Sequence, residues 1–142
     1  FNADGSFNPK ELKIMYELIN SADFVFGSRY MENAGSEDDT IVTYIGNKIF
    51  TFIGNLFFSL NISDILYTFV MGVTKKAQTL NLKEKDFSFC VELPIKAARH
   101  NMKLKSIESY ERKRIAGKKK VNEFKDGLLI LIKMIKLFFI KF

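Results

Sequence analysis

Tryptophan is absent from this chain, and cysteine and histidine occur once each, as Cys90 and His100. One cysteine excludes an internal disulfide framework, and one of each argues against a structural zinc site of Cys and His ligands. A Cys90–His100 nucleophilic pair is formally open. Cys90 lies in an apolar run, however, where a thiol is ordinary core packing. No internal repeat and no low-complexity linker is visible. The first residues are polar and contain no apolar segment of the kind found in a cleavable signal. Negative charge is missing from one stretch above all: RKRIAGKKK, Arg112 to Lys120, holds six positive charges and no acid, equal to the whole net charge of +6. A protein that reads nucleic acid is basic over a broad face, and outside this run the chain is formally neutral. A single basic cluster points instead to a phosphate-bearing ligand or an anionic membrane surface.

What is present is apolar. The hydrophobic share is 47% with fifteen Phe, and 142 residues suffice for one domain with its own core. Asn8-Pro9-Lys10-Glu11 reads as a helix start, with Asn8 as cap, Pro9 at the first position and Glu11 closing a capping box. Leu12, Met15, Tyr16 and Ile19 continue it at helical spacing. Phe24 to Phe26 form a short buried strand that ends at Gly27 and Arg29. MENAGSEDDT is a polar, mobile loop. Thr43 to Leu60 is apolar almost all round and close to the length of a membrane span. Its polar members Asn47, Lys48 and Asn55 favour a buried or membrane-apposed helix. A loop with Asp64 leads to a strand over Phe69 to Val73, then a short helix. FSFCVELPIKAARHN is a helix with Glu92 in its first turn, where Pro94 is tolerated. A strand at KLKSIESYERKRI runs into the basic loop. The last segment, from Phe124, is a helix whose Lys133, Lys136 and Lys141 share one arc. It suits an interfacial helix on anionic lipid, or a core helix with its lysines in water. Alternating helices and strands give an α/β fold.

Several residues invite chemistry. Asp4, in a turn before a capped helix, stands where α/β proteins place metal ligands, although Asp before Gly is also a plain turn residue. Arg29, ending a strand, can take a phosphate bidentately or pair with Glu32. Asp64 is a candidate base or a helix cap. Glu92 is likewise a candidate catalytic residue, or a complement to the helix dipole.

In order, NADGSFNPKEL, ADFVFGSRY, Asn47 in an apolar helix, Asp64, FSFCVEL, RIAGKKK and FKDG resemble the second half of the family 2 glycosyltransferases. The likeness is to the dolichyl-phosphate mannose synthase and polyprenyl-phosphate sugar transferase branch, and it covers nearly the whole chain. The ordered set carries it; no single motif does. It implies a partial GT-A, Rossmann-like domain over residues 1–121, lacking the nucleotide-binding strands that precede the metal motif. Residues 122–142 follow as an amphipathic helix. It implies an inverting-type hexosyltransferase of glycan biosynthesis that uses a nucleotide-sugar donor and a polyprenyl-phosphate acceptor, peripheral or anchored at the cytoplasmic face of the plasma or endoplasmic-reticulum membrane. The family's Asp-any-Asp motif for Mg²⁺ or Mn²⁺ falls on Asn2 and Asp4; an Asn oxygen coordinates but brings no charge. Arg29 matches a phosphate-contacting arginine, and an arginine of the next loop is replaced by an acid near Asp39. Asp64 and Glu92 match the catalytic-region carboxylates. Arg114, Gly117, Lys118 and Lys120 match the loop that meets the lipid phosphate, with Lys119 where Ser is usual. A missing N-terminal half would leave this chain alone with weak nucleotide binding and little or no transfer. The other reading, from a different class, is a non-catalytic module that docks anionic lipid through residues 112–120.

Overall fold

The computed structural model describes residues 4–116 and 122–140. Gly117, Lys118 and Lys120 of the basic loop, and Asn2 of the metal motif, lie outside them. The elements run α1 (Glu11–Leu18), β1 (Phe24–Ser28), β2 (Gly35–Ser36), α2 (Ile41–Phe58), β3 (Val70–Gly72), α3 (Thr74–Thr79), α4 (Phe89–Arg99), β4 (Leu104–Glu108), β5 (Tyr110–Glu111) and α5 (Glu123–Phe139). This is a mixed α/β fold, as the alternation of the sequence implies.

The sheet is small and centred on β1. Its run of Phe24, Val25 and Phe26 is buried on both faces, as a continuous apolar strand between two layers must be. β4 pairs with it in parallel, Phe24 opposite Leu104 through Ser28 opposite Glu108. β3 pairs on the other side, antiparallel, with Phe24 opposite Gly72. One layer of core joins Phe24 and Phe26 to Phe58, Val91, Ile95, Ile130, Met134 and Leu137, so α2, α4 and α5 cover one face. A smaller cluster of Phe7, Met15, Val25, Phe69 and Ile107 lies under α1 on the other. The last helix is therefore an integral wall of the domain.

Three local details differ from the sequence expectations. The Asn8 side chain takes the Lys10 amide at 3.2 Å, but Glu11 closes no capping box: its carboxylate is pulled inward by the Ser109 hydroxyl (2.5 Å) and the Tyr110 amide (3.2 Å). The polar loop after β1 is anchored, because β2 pairs in parallel with β5, Gly35 opposite Tyr110 and Ser36 opposite Glu111. On α5, Lys133 leaves the outward arc and bonds Glu84 (2.6 Å) and Glu92 (3.4 Å).

α2 and α5 lie side by side and run the same way. Thr40 caps α2 by accepting the Thr43 amide at 3.1 Å, Asn122 caps α5 by accepting the Lys125 amide at 3.0 Å, and Thr40 also donates to Glu123 at 2.9 Å. At the far ends Phe57 and Phe138 meet edge to face, ring centres 5.8 Å apart. α2 is long and apolar enough to cross a membrane.

Candidate functional site

The parallel pairing of β1 and β4 delivers two chains to the same sheet end, the carboxyl end, where α/β folds build their sites. From β1 comes Arg29. From β4, one turn on through Ser109, comes Glu111 on β5. The Ser109 amide bonds the Ser28 carbonyl at 2.9 Å and fixes the two exits together.

Arg29 is the hub. Its Nε and Nη2 donate to the two oxygens of Asp64 at 2.8 and 3.1 Å, a bidentate pair, and its backbone amide donates to Asp64 Oδ2 at 3.1 Å. Its Nη1 donates to Glu111 at 3.2 Å and lies 3.7 Å from Asp39. The guanidinium sits over the Tyr67 ring, 4.6 Å from its centre. Arg29 is 8% exposed and Asp64 1%, so both charges are nearly dry and depend on one another. Burial alone would weaken the guanidinium as a base; the Asp64 carboxylate outweighs it and pushes the pKa further up. The Glu32 partner expected from sequence is replaced by Asp64 and Glu111.

α2 supplies the fourth bond to Asp64. Asn47 Nδ2 donates to Asp64 Oδ1 at 2.5 Å, and Thr51 donates to Asn47 Oδ1 at 3.0 Å. Thr51 then accepts the Ile65 amide at 3.1 Å, and Asn55 exchanges two bonds with Ile62. Asn47, Thr51 and Asn55 are spaced by four, so they form one polar ladder down the helix. That ladder holds the loop from Ile62 to Ile65 and presents Asp64 to Arg29. Asp64 is thus no helix cap, and each of its oxygens accepts two hydrogen bonds.

A second cluster adjoins the first. Arg114 donates to Asp38 at 2.5 Å and stands 4.0 Å from Asp4. Asp4 Oδ1 accepts from the Ser6 amide (3.1 Å) and hydroxyl (2.7 Å), the turn geometry of an Asp before Gly. Gly5 takes a left-handed φ of 79°, and a Cβ there would press on Ile115 at 2.6 Å. Burial raises the Asp4 pKa, but the Ser6 bonds and Arg114 outweigh it and the carboxyl is held below its usual range. The Asp38 bond, against burial, raises the pKa of Arg114, and the Asp38 amide in turn donates to the Ser36 hydroxyl at 3.1 Å, which bonds Glu111 and so links the two clusters. Glu111 and Asp38, which sequence reasoning passed over, therefore belong to the site. Glu111 also accepts the Ser36 hydroxyl at 2.6 Å. Their signal lay in the β2–β5 pairing, which no short motif announces.

For Mg²⁺ or Mn²⁺ at Asn2 and Asp4, the described half fits poorly. Its carboxylate is shared between a turn and a guanidinium that a cation would have to displace. Among the described residues, no group of three or more His, Cys, Asp or Glu side chains is placed to hold a metal.

Glu92 stands apart from this site. It is fully buried on α4, and its oxygens take Lys96 at 2.9 Å, Lys133 at 3.4 Å and the Lys83 and Glu84 amides at 3.0 and 2.8 Å. Burial raises its pKa, but the Lys96 bond, the two amides and Lys133 together bring it down to about 2. It ties α5 and the loop before α4 to the domain. Cys90 and His100 sit at opposite ends of α4, so they form no pair. Burial pushes the Cys90 thiol up to about 12, the behaviour of a packed thiol.

Compared with known proteins, the chain matches no family model, and no curated protein matches it. What fold and site define together is a mixed α/β domain. A buried arginine–carboxylate hub at the sheet's carboxyl end is joined to the start of a basic segment.

Proposed function

We propose that the chain is the acceptor-side part of a GT-A-type family 2 glycosyltransferase that moves a sugar from a nucleotide diphosphate to a polyprenyl phosphate at the cytoplasmic membrane face. The observation that supports this reading is the convergence of Asp4, Arg29, Asp64 and Arg114, far apart in sequence, which Asp38, Ser36 and Glu111 join into one hydrogen-bonded network at the sheet end. The resemblance orders those same residues.

The residues suggest how the work divides. An acceptor phosphate is already ionised at neutral pH, so it needs no strong base. Asp64, with both oxygens doubly bonded, is suited to fix Arg29 rather than to take a proton. Positive charge for a leaving diphosphate or an acceptor phosphate comes from Arg114 and from Lys118 and Lys120 of the same run. Arg114 would have to exchange Asp38 for phosphate. Glu92 has a positioning role through α5.

The test is a transfer assay with radiolabelled uridine- and guanosine-diphosphate sugars and polyprenyl phosphate in detergent. It compares this chain with the chain extended by the coding sequence upstream of Phe1. The extended protein should transfer sugar and lose at least about a hundredfold on Arg114→Gln, the scale of one removed charge donor. The 142 residues alone should transfer little. An extended protein that transfers nothing overturns the proposal, and robust turnover by the short chain overturns the division of the domain. The membrane-binding module is the second reading, favoured by the apolar outer faces of α2 and α5.

A further inference from the structure

We infer that α2 and α5 together form one continuous platform that lies flat in the surface of an anionic bilayer, with α2 half-embedded and not spanning. On α2, Ile45, Ile49, Phe52 and Leu56 recur at intervals of four, three and four, and all are exposed, Phe52 by 64%. On α5, Phe124, Leu128, Leu131 and Ile135 recur in the same way, Phe124 being 85% exposed. Each stripe is the back of a helix whose other side is core.

The two stripes meet. The α2 residues that touch α5 (Phe50 against Gly127, Phe57 against Phe138) lie on the edge of the α2 stripe, and Gly127 and Phe138 lie on the facing edge of the α5 stripe. The seam between the helices is thus apolar, and the patch is far larger than the scattered exposure normal for a soluble surface.

Its two outer borders are basic. Exposed Lys48 edges α2, stacked near Tyr30 (4.9 Å) and Tyr44 (5.7 Å). Exposed Lys125 and Lys136 edge α5. In chain order the basic run of Arg112 to Lys120 comes just before α5. An apolar strip flanked by lysines complements acyl chains between anionic headgroups. A spanning α2 would have to strip Asn47, Thr51 and Gly54 from the core that buries them.

The placement deepens the membrane part of the proposed function and is separable from its chemistry. The full chain is mixed with phosphatidylcholine vesicles, and with vesicles containing phosphatidylserine, and sedimented. It should partition onto both and more tightly onto the anionic ones. Phe52→Glu with Leu56→Glu, or Leu131→Glu with Ile135→Glu, should each cut partition at least about tenfold, with circular dichroism unchanged. Lys125→Gln with Lys136→Gln, both at exposed positions, should weaken only the anionic binding, several-fold. Tyr44→Cys in the first turn of α2 and Ser59→Cys at its C-cap, both exposed positions, should each react with an impermeant maleimide added outside, Cys90 being buried. No partition, partition indifferent to the glutamates, a dimer in place of vesicle binding, or labelling at only one end of α2 each overturns the inference. A chain that partitions while the upstream-extended protein transfers no sugar overturns the chemistry alone.

Discussion

Replacing Glu92 by Gln keeps the shape of the most deeply buried acid on α4 and removes its charge, so stability as a function of pH tests the network directly. The native carboxyl titrates near 2 where an ordinary glutamate titrates near 4.5. That difference corresponds to about 3 kcal/mol of folding free energy. Because the folded pKa is the lower one, the contribution is fully present above about pH 4.5 and drains away as pH falls toward 2. Urea denaturation at several pH values between 7 and 2.5 should show this slope in the wild type. Glu92→Gln should be less stable at pH 7 by about 3–5 kcal/mol, since Lys96 and Lys133 lose their shared partner, and it should lack that part of the acid slope. Lys133→Gln, at the rim of the network, is expected to lose less and to fold if the first variant does not. Parallel pH profiles for wild type and Glu92→Gln would refute the assignment of the charge to this residue.

Arg29→Lys keeps the positive charge but not the fork that grips Asp64 and Glu111. A loss of about 3 kcal/mol or more is expected by denaturation, and a near-neutral result would mean the hub is not what holds the sheet end together. Cys90 should resist a thiol reagent at pH 8 in the native chain and react at once in denaturant, read by absorbance; fast native labelling would contradict its burial.

Much of this was written locally. The long elements declared themselves as apolar runs, as with Thr43 to Leu60 for α2 and the segment from Phe124 for α5. Asp4, Arg29 and Asp64 each stood out as a charge with a site to explain it, Arg114 was picked out of the basic run only by the family resemblance, and the fold brings the four together. Partners were harder to see. Glu32 is the near neighbour of Arg29 in sequence, yet Asp64 is its partner across 35 residues, because register and loop pinning choose among carboxylates and a linear reading cannot. Glu11 shows the same limit: the helix begins at Glu11 itself, with Lys10 at the N-cap and no side-chain cap bond, and a buried hydroxyl on Ser109 donates to the carboxylate that the capping box had assigned to the helix start. Lys133 looked like one more surface lysine until the buried Glu92 claimed it.

The ladder of Asn47, Thr51 and Asn55 makes α2 intolerant of insertion in a way its composition hides. Its outer residues need only be greasy, and many exchanges among Ile, Leu and Phe should pass there. One extra residue between Asn47 and Asn55 would turn everything downstream by about 100°. The Asn55 bonds to Ile62 would then face the wrong side, Asp64 would lose its seat, and polar atoms would roll into the apolar stripe. In this helix, phase is the inherited quantity, and the identity of its outward residues is the part left free to drift.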